Sequence, residues 1–443
     1  MNSVVSTWRQ GSAAVRARLA LQLLLAVGLF CALAYYAHGI VKWPTDVDVY
    51  RLGADTFLKG HSIYTELPVS SIGGALPYTY PPFSAVLFVP LAIVPPHIGY
   101  PLLTGLTCLC LFPIILAYRK TSPELRGLLA KPWMVVAGAC VLVVAHPVAN
   151  TIFWGQINVI LMMLVAVDCL WPNPKWPRGA LIGIAAAVKL TPAGFVLLFL
   201  LRKDFRAVVT SFVSFCVCTA IAFVLMPHDS WLYWTDRVFH ASSMNIGPIH
   251  ANESVMASFE KLGLGGHTLT LVGGLGVVLV VVMTWLGTRR ALDDGNLPMA
   301  LGVNATGVLL VSPISWSHHW VLALPTAALI MVMGYQKHKF WLLFSGWVGV
   351  VILWIAPHYQ VPLEYQIWSF PQKVAGSSYQ IIAVIFLVVM TVRWFLGRRR
   401  PASLDQLDFE VSGQADLAQP ALAGVEGAHG AVRTPAGAAE EGQ

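Results

Sequence analysis

Two carboxylates separated by one residue beside a tyrosine, Asp46-Val47-Asp48-Val49-Tyr50, are the groups in this chain best suited to take a proton. An aspartate in a loop at a membrane surface can act as a general base on an acceptor hydroxyl while a sugar leaves a phosphate. A second set could neutralise the charge that such a departure develops: Lys189 in Lys189-Leu190-Thr191-Pro192, and His318 and His319 in Ser312-Pro313-Ile314-Ser315-Trp316-Ser317-His318-His319. A third set has the chemistry to hold a sugar. Tyr78 and Tyr80 in Pro77-Tyr78-Thr79-Tyr80-Pro81-Pro82 offer stacking faces, and Gln156 and Asn158 in Trp154-Gly155-Gln156-Ile157-Asn158 offer amides to hydroxyls.

Each set has a plainer reading that the residues alone leave open. Asp46 could be a solvated loop acid or a helix cap. Asp48, in an extended segment, would point the same way as Asp46 and either share its role or position a substrate. Asp55 and Glu66 read as solvated. The histidines could anchor a helix start at the interface, as Trp316 and Trp320 do, and the tyrosines could belong to the aromatic belt. Gln156 and Asn158 could serve broken backbone instead of a ligand. No metal site is predicted, because three or four converging ligands cannot be assembled. No cofactor is predicted, and dependence on a divalent ion is left open.

The elements that must position these groups are apolar. Hydrophobic residues make up 57% of the 443 residues and charged residues 11%, at a mean hydropathy of +0.68, which excludes an ordinary soluble domain. The formal charge of +7 does not mark a nucleic-acid binder, since the basic residues punctuate apolar segments instead of interleaving with polar ones. Nearly all seven cysteines fall within apolar runs and support neither a disulfide framework nor zinc spacing.

A first span is predicted from about Leu19 to Ile40, preceded by Arg9, Arg16 and Arg18 and too long for a signal-peptide core. Further spans are predicted near 97–118, 132–147, 157–171, 178–188, 192–202, 207–226, 267–288, 297–311, 318–334, 339–356 and 377–396. That gives about twelve, with both termini cytoplasmic. The run Phe83 to Pro95 is too short to cross and is placed at the interface, because counting it would send Arg119, Lys120, Arg126 and Lys131 outside. Of the 28 Lys and Arg, only Lys42, Arg51, Lys59, Lys189, Arg237, Lys261 and Lys373 then lie outside. The segments 178–188 and 192–202 are each short for a bilayer of about 30 Å and are read as a hairpin with Lys189 to Pro192 at its tip. Backbone that turns inside the membrane must be buried in protein or line a wet cavity, and an ammonium there suits a phosphate.

With this threading every polar set falls on one extracytoplasmic face. A membrane domain over residues 1–400 is followed by a tail, 401–443, rich in Ala, Gly, Pro, Gln and acids and predicted to be disordered and cytoplasmic. The outer loop from Pro227 to Leu262 is long enough to form a lid or an acceptor cleft. Outside the cytoplasm a sugar donor has to be lipid-linked rather than a nucleotide sugar. A transporter or flippase for a lipid-linked sugar would show polar residues deep in several spans and sites facing both sides, whereas here they cluster at one face.

Taken together, Asp46 to Tyr50 with Gly53-Ala54, Pro77 to Ser84, Gly155 to Asn158, Lys189 to Pro192 and Ser312 to Trp320 resemble glycosyltransferase family 87 over nearly everything before the tail. These are actinobacterial polyprenol-phosphate-mannose-dependent α-(1→2)-mannosyltransferases. The resemblance implies an all-α polytopic GT-C fold with catalytic loops on the extracytoplasmic side of the plasma membrane. It also implies inverting transfer of mannose from polyprenyl-phosphate-mannose to a mannosylated glycolipid, with membrane lipids as the surroundings and no nucleic-acid partner. In the family the base is the aspartate four residues before the loop tyrosine, here Asp46. Asp48 stands where the member that elongates phosphatidylinositol mannosides has a histidine. The stretches Val159 to Cys169 and Trp176-Pro177-Arg178-Gly179 look closer to the branch that decorates lipomannan and lipoarabinomannan. Arabinofuranosyl transfer from a polyprenyl-phosphate donor is the alternative within the family.

Overall fold

The computed structural model describes residues 13–40, 45–65, 67–71, 73–74, 76–240 and 251–398. The tail 401–443, Arg9, Glu66 and the central part of the 227–262 loop lie outside the described residues. The chain divides into residues 1–394 and 395–443, and of the second unit only the last turn of a helix, 395–398, is described.

Every described element is a helix or a connection between helices. Among the described residues seven helices are long and apolar enough to cross a membrane: Val15–Leu33, Pro96–Thr121, Phe205–Leu225, Gly266–Asp293, Ser317–Gln336, Phe340–Tyr359 and Ser378–Gly397. An eighth is added if Pro132–Val144 and His146–Trp154, bent by 66° at Ala145, count as one span. The sequence count of about twelve also includes the shorter apolar helices Asn158–Leu170, Thr191–Leu201, Leu297–Val311 and Ala180–Val188. Leu297–Val311 is buried along nearly its whole length, so protein and not lipid surrounds it. The run after Pro81 splits at Phe88 into Pro82–Leu87 and Val89–Ile93, neither long enough to span.

The outward faces of the long helices are apolar. Phe205–Leu225 exposes Val209, Phe212, Val213, Val217, Ile221 and Val224 at helical spacing and turns Ala207, Ser211, Cys218 and Ala222 inward. A soluble surface would not carry such a stripe; a lipid-facing one must. The chain is therefore a multi-pass membrane protein. Because lipid gives helices no hydrophobic drive to associate, close packing of small residues takes over. At Gly183 an added Cβ would lie 2.6 Å from Ser214 Cβ and would strike the Ser211 carbonyl, so only glycine lets Ala180–Val188 lie against Phe205–Leu225. That contact fixes the helix that ends at Lys189.

Ala180–Val188 stops because Lys189 takes an extended conformation (φ −149°, ψ 126°), and Pro192 then starts a 3-10 turn, Thr191–Phe195, which leads into Val196–Leu201. Arg178 and Arg202, which flank this pair of short helices, both approach Cys169, so the chain returns to the level it left. The two ends of Pro96–Thr121 differ in polarity. Pro96–Thr121 ends in Arg119 and Lys120, whereas Tyr100, in its first turns, reaches Asp48. A second core of Val47, Tyr50, Tyr64, Tyr78, Tyr80, Ile157, Ala185 and Val188 packs beneath that end and carries the candidate site.

Candidate active site

The segment from Thr45 to Leu58 is a helix with Asp46 and Asp48 in its first turn, where carboxylates suit the positive end of the dipole. This corrects the expectation of an extended segment. At 100° per residue the two side chains are about 200° apart around the axis and cannot point the same way. Asp48 turns into the protein, 2% exposed. Its Oδ1 accepts from Tyr100 Oη at 2.6 Å and Arg51 Nε at 3.5 Å, and its Oδ2 accepts the Ser71 amide at 2.6 Å. Burial raises its carboxyl, but the Ser71 amide, the Tyr100 and Ser71 hydroxyls and Arg51 together hold it below the ordinary value. Asp48 is a clamp between three segments.

Asp46 faces the other way, toward Gln156 and Lys189. The Gln156 Oε1 accepts from Tyr50 Oη at 2.8 Å and from Tyr80 Oη at 3.1 Å, and the two phenols lie 2.9 Å apart. With both lone pairs of that oxygen engaged, the Gln156 amide nitrogen is the group left to donate to Asp46. Burial pushes the Asp46 carboxyl up to about 6, against the pull of Gln156 and Lys189. Tyr50 lies four residues on from Asp46 and so on the same helical face. The sequence uses this tyrosine only to mark Asp46 and gives it no role of its own; the helix places its hydroxyl on Gln156.

Gln156 reaches this place because the helix His146–Trp154 ends on Gly155 in the left-handed region (φ 68°, ψ 33°). A Cβ there would also sit 2.6 Å from Val47 Cγ1, on the residue next to Asp46. Gly155→Ala is expected to cost about 1–3 kcal/mol through backbone strain and to push the Asp46 helix away. A thermal melt of the purified protein beside an activity assay checks it, and an unchanged Tm removes the argument.

Lys189 Nζ donates to Asn158 Oδ1 at 3.0 Å, lies 3.1 Å from His319 Nε2 and stands 5.3 Å above the Tyr80 ring. Burial lowers its ammonium to about 8, with the Asp46 charge opposing. His318 enters a buried network: its Nδ1 is 3.4 Å from Asn150 Nδ2, whose two protons have acceptors in Ser317 Oγ at 2.8 Å and Tyr359 Oη at 3.2 Å. Asn150 and Tyr359 carried no motif and were missed. Tyr78, 1% exposed, pairs with Ser84 Oγ at 2.6 Å and packs flat on Gly53, where no Cβ would fit. It supports Tyr80 from below.

The structure thus brings together Asp46, Tyr80, Gln156, Asn158, Lys189 and His319, and sets Asp48, Tyr78 and His318 behind them. Beside this cluster opens a cleft lined by Asn158, Lys189, Thr191, Ser312 and His319 and by apolar residues that include Leu161, Phe195, Ala305, Val308 and Leu309. The apolar residues lie one or two turns along the same helices from the polar ones, as Leu161 does from Asn158 and Val308 from Ser312. One end of the cleft is therefore cationic and polar, and the remainder is hydrocarbon-like. That suits an anionic head on an apolar chain. Among the described residues no group of three or more His, Cys, Asp or Glu is placed to hold a metal ion.

The sequence profile described as Glycosyltransferase family 87 matches residues 78–313. The chain is 35% identical to the polyprenol-phosphate-mannose-dependent alpha-(1-2)-phosphatidylinositol mannoside mannosyltransferase of Mycobacterium tuberculosis over 88% of its own length and 95% of the relative. The protein of the same description from Mycolicibacterium smegmatis is 31% identical over 80% of this chain and 84% of the relative. A Mycobacterium tuberculosis polyprenol-phosphate-mannose-dependent alpha-(1-2)-phosphatidylinositol pentamannoside mannosyltransferase is 30% identical over 69% of this chain and 70% of the relative.

Proposed function

This chain belongs to glycosyltransferase family 87, and from that membership we propose that it transfers mannose from polyprenyl-phosphate-mannose to a phosphatidylinositol-mannoside type of glycolipid, forming an α-(1→2) bond with inversion. The observation that carries the reading is Lys189, held by Asn158 beside His319, at the polar end of an otherwise apolar cleft, with Asp46 near enough to feel its charge. In this reading the polyprenyl chain runs along the apolar residues of the cleft and its phosphate meets Lys189, with Asn158 and His319 beside it.

In the proposed reaction the acceptor oxygen attacks the anomeric carbon from the face opposite the phosphate. The bond from that carbon to the phosphate oxygen breaks, and the electron pair leaves with polyprenyl phosphate. The hydroxyl proton passes to the Asp46 carboxylate, which is poised by burial and held by the Gln156 amide. The phosphate gains one negative charge as it leaves, and Lys189 stands where that charge develops. Tyr80 presents its ring beside Lys189 as a surface for the sugar. The basic end of Pro96–Thr121 lies away from this cluster and its first turns lie beside it, which supports a site on the extracytoplasmic face of the plasma membrane.

The acceptor class rests on the relatives. The one 35% identical is named for phosphatidylinositol mannoside and the one 30% identical for the pentamannoside. The direct test is transfer of radiolabelled mannose by the purified protein in detergent, with the linkage of the product determined. An α-(1→2)-mannosylated glycolipid supports the reading. Product only with an arabinosyl donor moves the chain to the other branch of its family, and movement of lipid-linked sugar across vesicles without product makes it a flippase.

The pH profile follows from the two charged groups. Asp46 must be ionised to accept a proton, so kcat/KM is expected to fall as pH drops through about 6. Lys189 must be protonated to meet phosphate, so kcat/KM is expected to fall again as pH rises through about 8. A rate that stays flat from pH 5 to 9 would contradict both assignments.

A further inference from the structure

Residues 252–254 lie along the connection that leads to His319. The Glu253 amide donates to the Ser315 carbonyl at 2.7 Å, the Ser315 amide donates to Asn252 Oδ1 at 2.9 Å, and Asn252 Nδ2 donates to the Pro313 carbonyl at 3.1 Å. Three hydrogen bonds therefore set the register of 313–315, the residues between the two cleft-lining groups Ser312 and His319. What holds 252–254 in place is itself unusual. The Glu253 side chain is wholly buried and its Oε1 lies 3.4 Å from Lys261 Nζ, which is 2% exposed and also donates to the Gly376 carbonyl at 2.7 Å. The Glu253 Oε2 accepts the Gln380 amide at 3.4 Å, and Gln380 Nε2 donates to the carbonyls of Asn252 at 3.1 Å and Ser254 at 3.0 Å. His358 Nδ1 stands 3.7 Å from Glu253 Oε1, and the backbone of Tyr379 adds a further hydrogen bond.

A buried ion pair is a poor source of stability, because desolvation of both charges offsets their attraction and a packed apolar pair often does as well. Its distinctive property is direction. An ammonium that must satisfy a carboxylate on one segment and a carbonyl on another accepts one arrangement of the segments and rejects slipped ones.

We propose that Glu253 and Lys261 are positioning residues for glycosyl transfer: their buried pair holds residues 252–254 on Pro313 and Ser315 and so sets His319 and Ser312 at the phosphate end of the cleft. The inference rests on the transferase reading above and extends it to residues that touch neither substrate. Because His319 and Ser312 lie at the donor end, loss of the pair weakens use of the donor and leaves use of the acceptor alone. The charge state gives a signature that simple packing lacks. Burial pushes the Glu253 carboxyl up to about 7, with Lys261 and the Gln380 amide and the Tyr379 backbone opposing, while Lys261 is lowered by burial with Glu253 opposing. As pH falls through that value Glu253 takes a proton and the pair is lost, so donor KM rises on the acid side.

The test measures donor KM, acceptor KM and kcat across pH for the full chain and for Glu253→Gln, Lys261→Met and the double variant, with monodispersity and Tm recorded for each. Glu253→Gln is expected to raise donor KM about tenfold at pH 8, to leave acceptor KM within about twofold, and to abolish the acid-side rise in donor KM. The double variant, which leaves no unpaired buried charge, is expected to fold at least as well as Lys261→Met and to keep the donor defect. Unchanged donor KM in folded variants overturns the proposal. So does a loss shared equally by donor and acceptor that tracks a lower Tm, since that is a merely structural role. If the wild type transfers no mannose, the transferase reading fails separately. Binding of polyprenyl phosphate, followed by tryptophan fluorescence, then reads the same contrast: weaker binding by Glu253→Gln supports positioning and equal binding overturns it.

Discussion

Replacing Asp46 with asparagine is expected to lower kcat about 10³-fold, or about 4 kcal/mol in the barrier, while the protein still folds and still binds donor. The substitution keeps shape and hydrogen bonding but removes the basic oxygen. Gln156 can still meet the new side chain through a turned amide, so the local network loses little. Asp48 one turn-half away makes the control. It bonds Ser71, Tyr100 and Arg51 and faces neither Gln156 nor Lys189. Asp48→Asn is therefore expected to lower Tm and to reduce kcat by only about tenfold, through a looser helix. Steady-state turnover of both variants, normalised to monodisperse protein, decides the matter. If Asp48→Asn is the inactive one and Asp46→Asn turns over normally, the proton passes elsewhere and the assignment is reversed.

The way the two aspartates separate also shows where sequence reasoning stops. Alternation of apolar and acidic residues in Asp46-Val47-Asp48-Val49 looks extended. The segment is nevertheless a helix, with Val47, Asp48, Val49, Tyr50, Leu52, Gly53, Ala54 and Thr56 covered and Arg51, Asp55 and Leu58 left on the more open face. The charged residues Asp48, Arg51, Asp55 and Lys59 do recur at helical spacing, but the alternation in the first four residues hides that period. The long helices were legible for the opposite reason, since lipid on one side imposes an unbroken apolar run with basic ends. Lys189 was legible because two flanking runs were each too short to span and no single span could replace them. The pairing of Asn252 and Glu253 with Pro313 and Ser315 joins residues about sixty apart through one side-chain amide and backbone groups, and no spacing in the sequence announces it.

Removal of the charge at Lys189 is the second large effect expected, and its form separates a phosphate ligand from a structural lysine. The ammonium is held by Asn158 and set beside His319, at the polar end of a cleft whose other walls offer no charge. In the donor the bridging phosphate carries one negative charge and on departure it carries two, so a cation there binds the ground state and the transition state more strongly still. Lys189→Met is accordingly expected to raise donor KM about tenfold and to lower kcat about 10²-fold, with acceptor KM unchanged. Arginine keeps the charge but brings a planar fork into a place shaped for one nitrogen between an amide and an imidazole, so Lys189→Arg is expected to recover only part of the loss. The same change reaches Asp46. Lys189 helps to hold that carboxyl down, against burial, so its loss moves the acid limb of kcat/KM to a pH above about 6. A Lys189→Met enzyme with wild-type donor KM and an unmoved acid limb would show that the ammonium serves the fold alone, and the phosphate would then have to be met by His319.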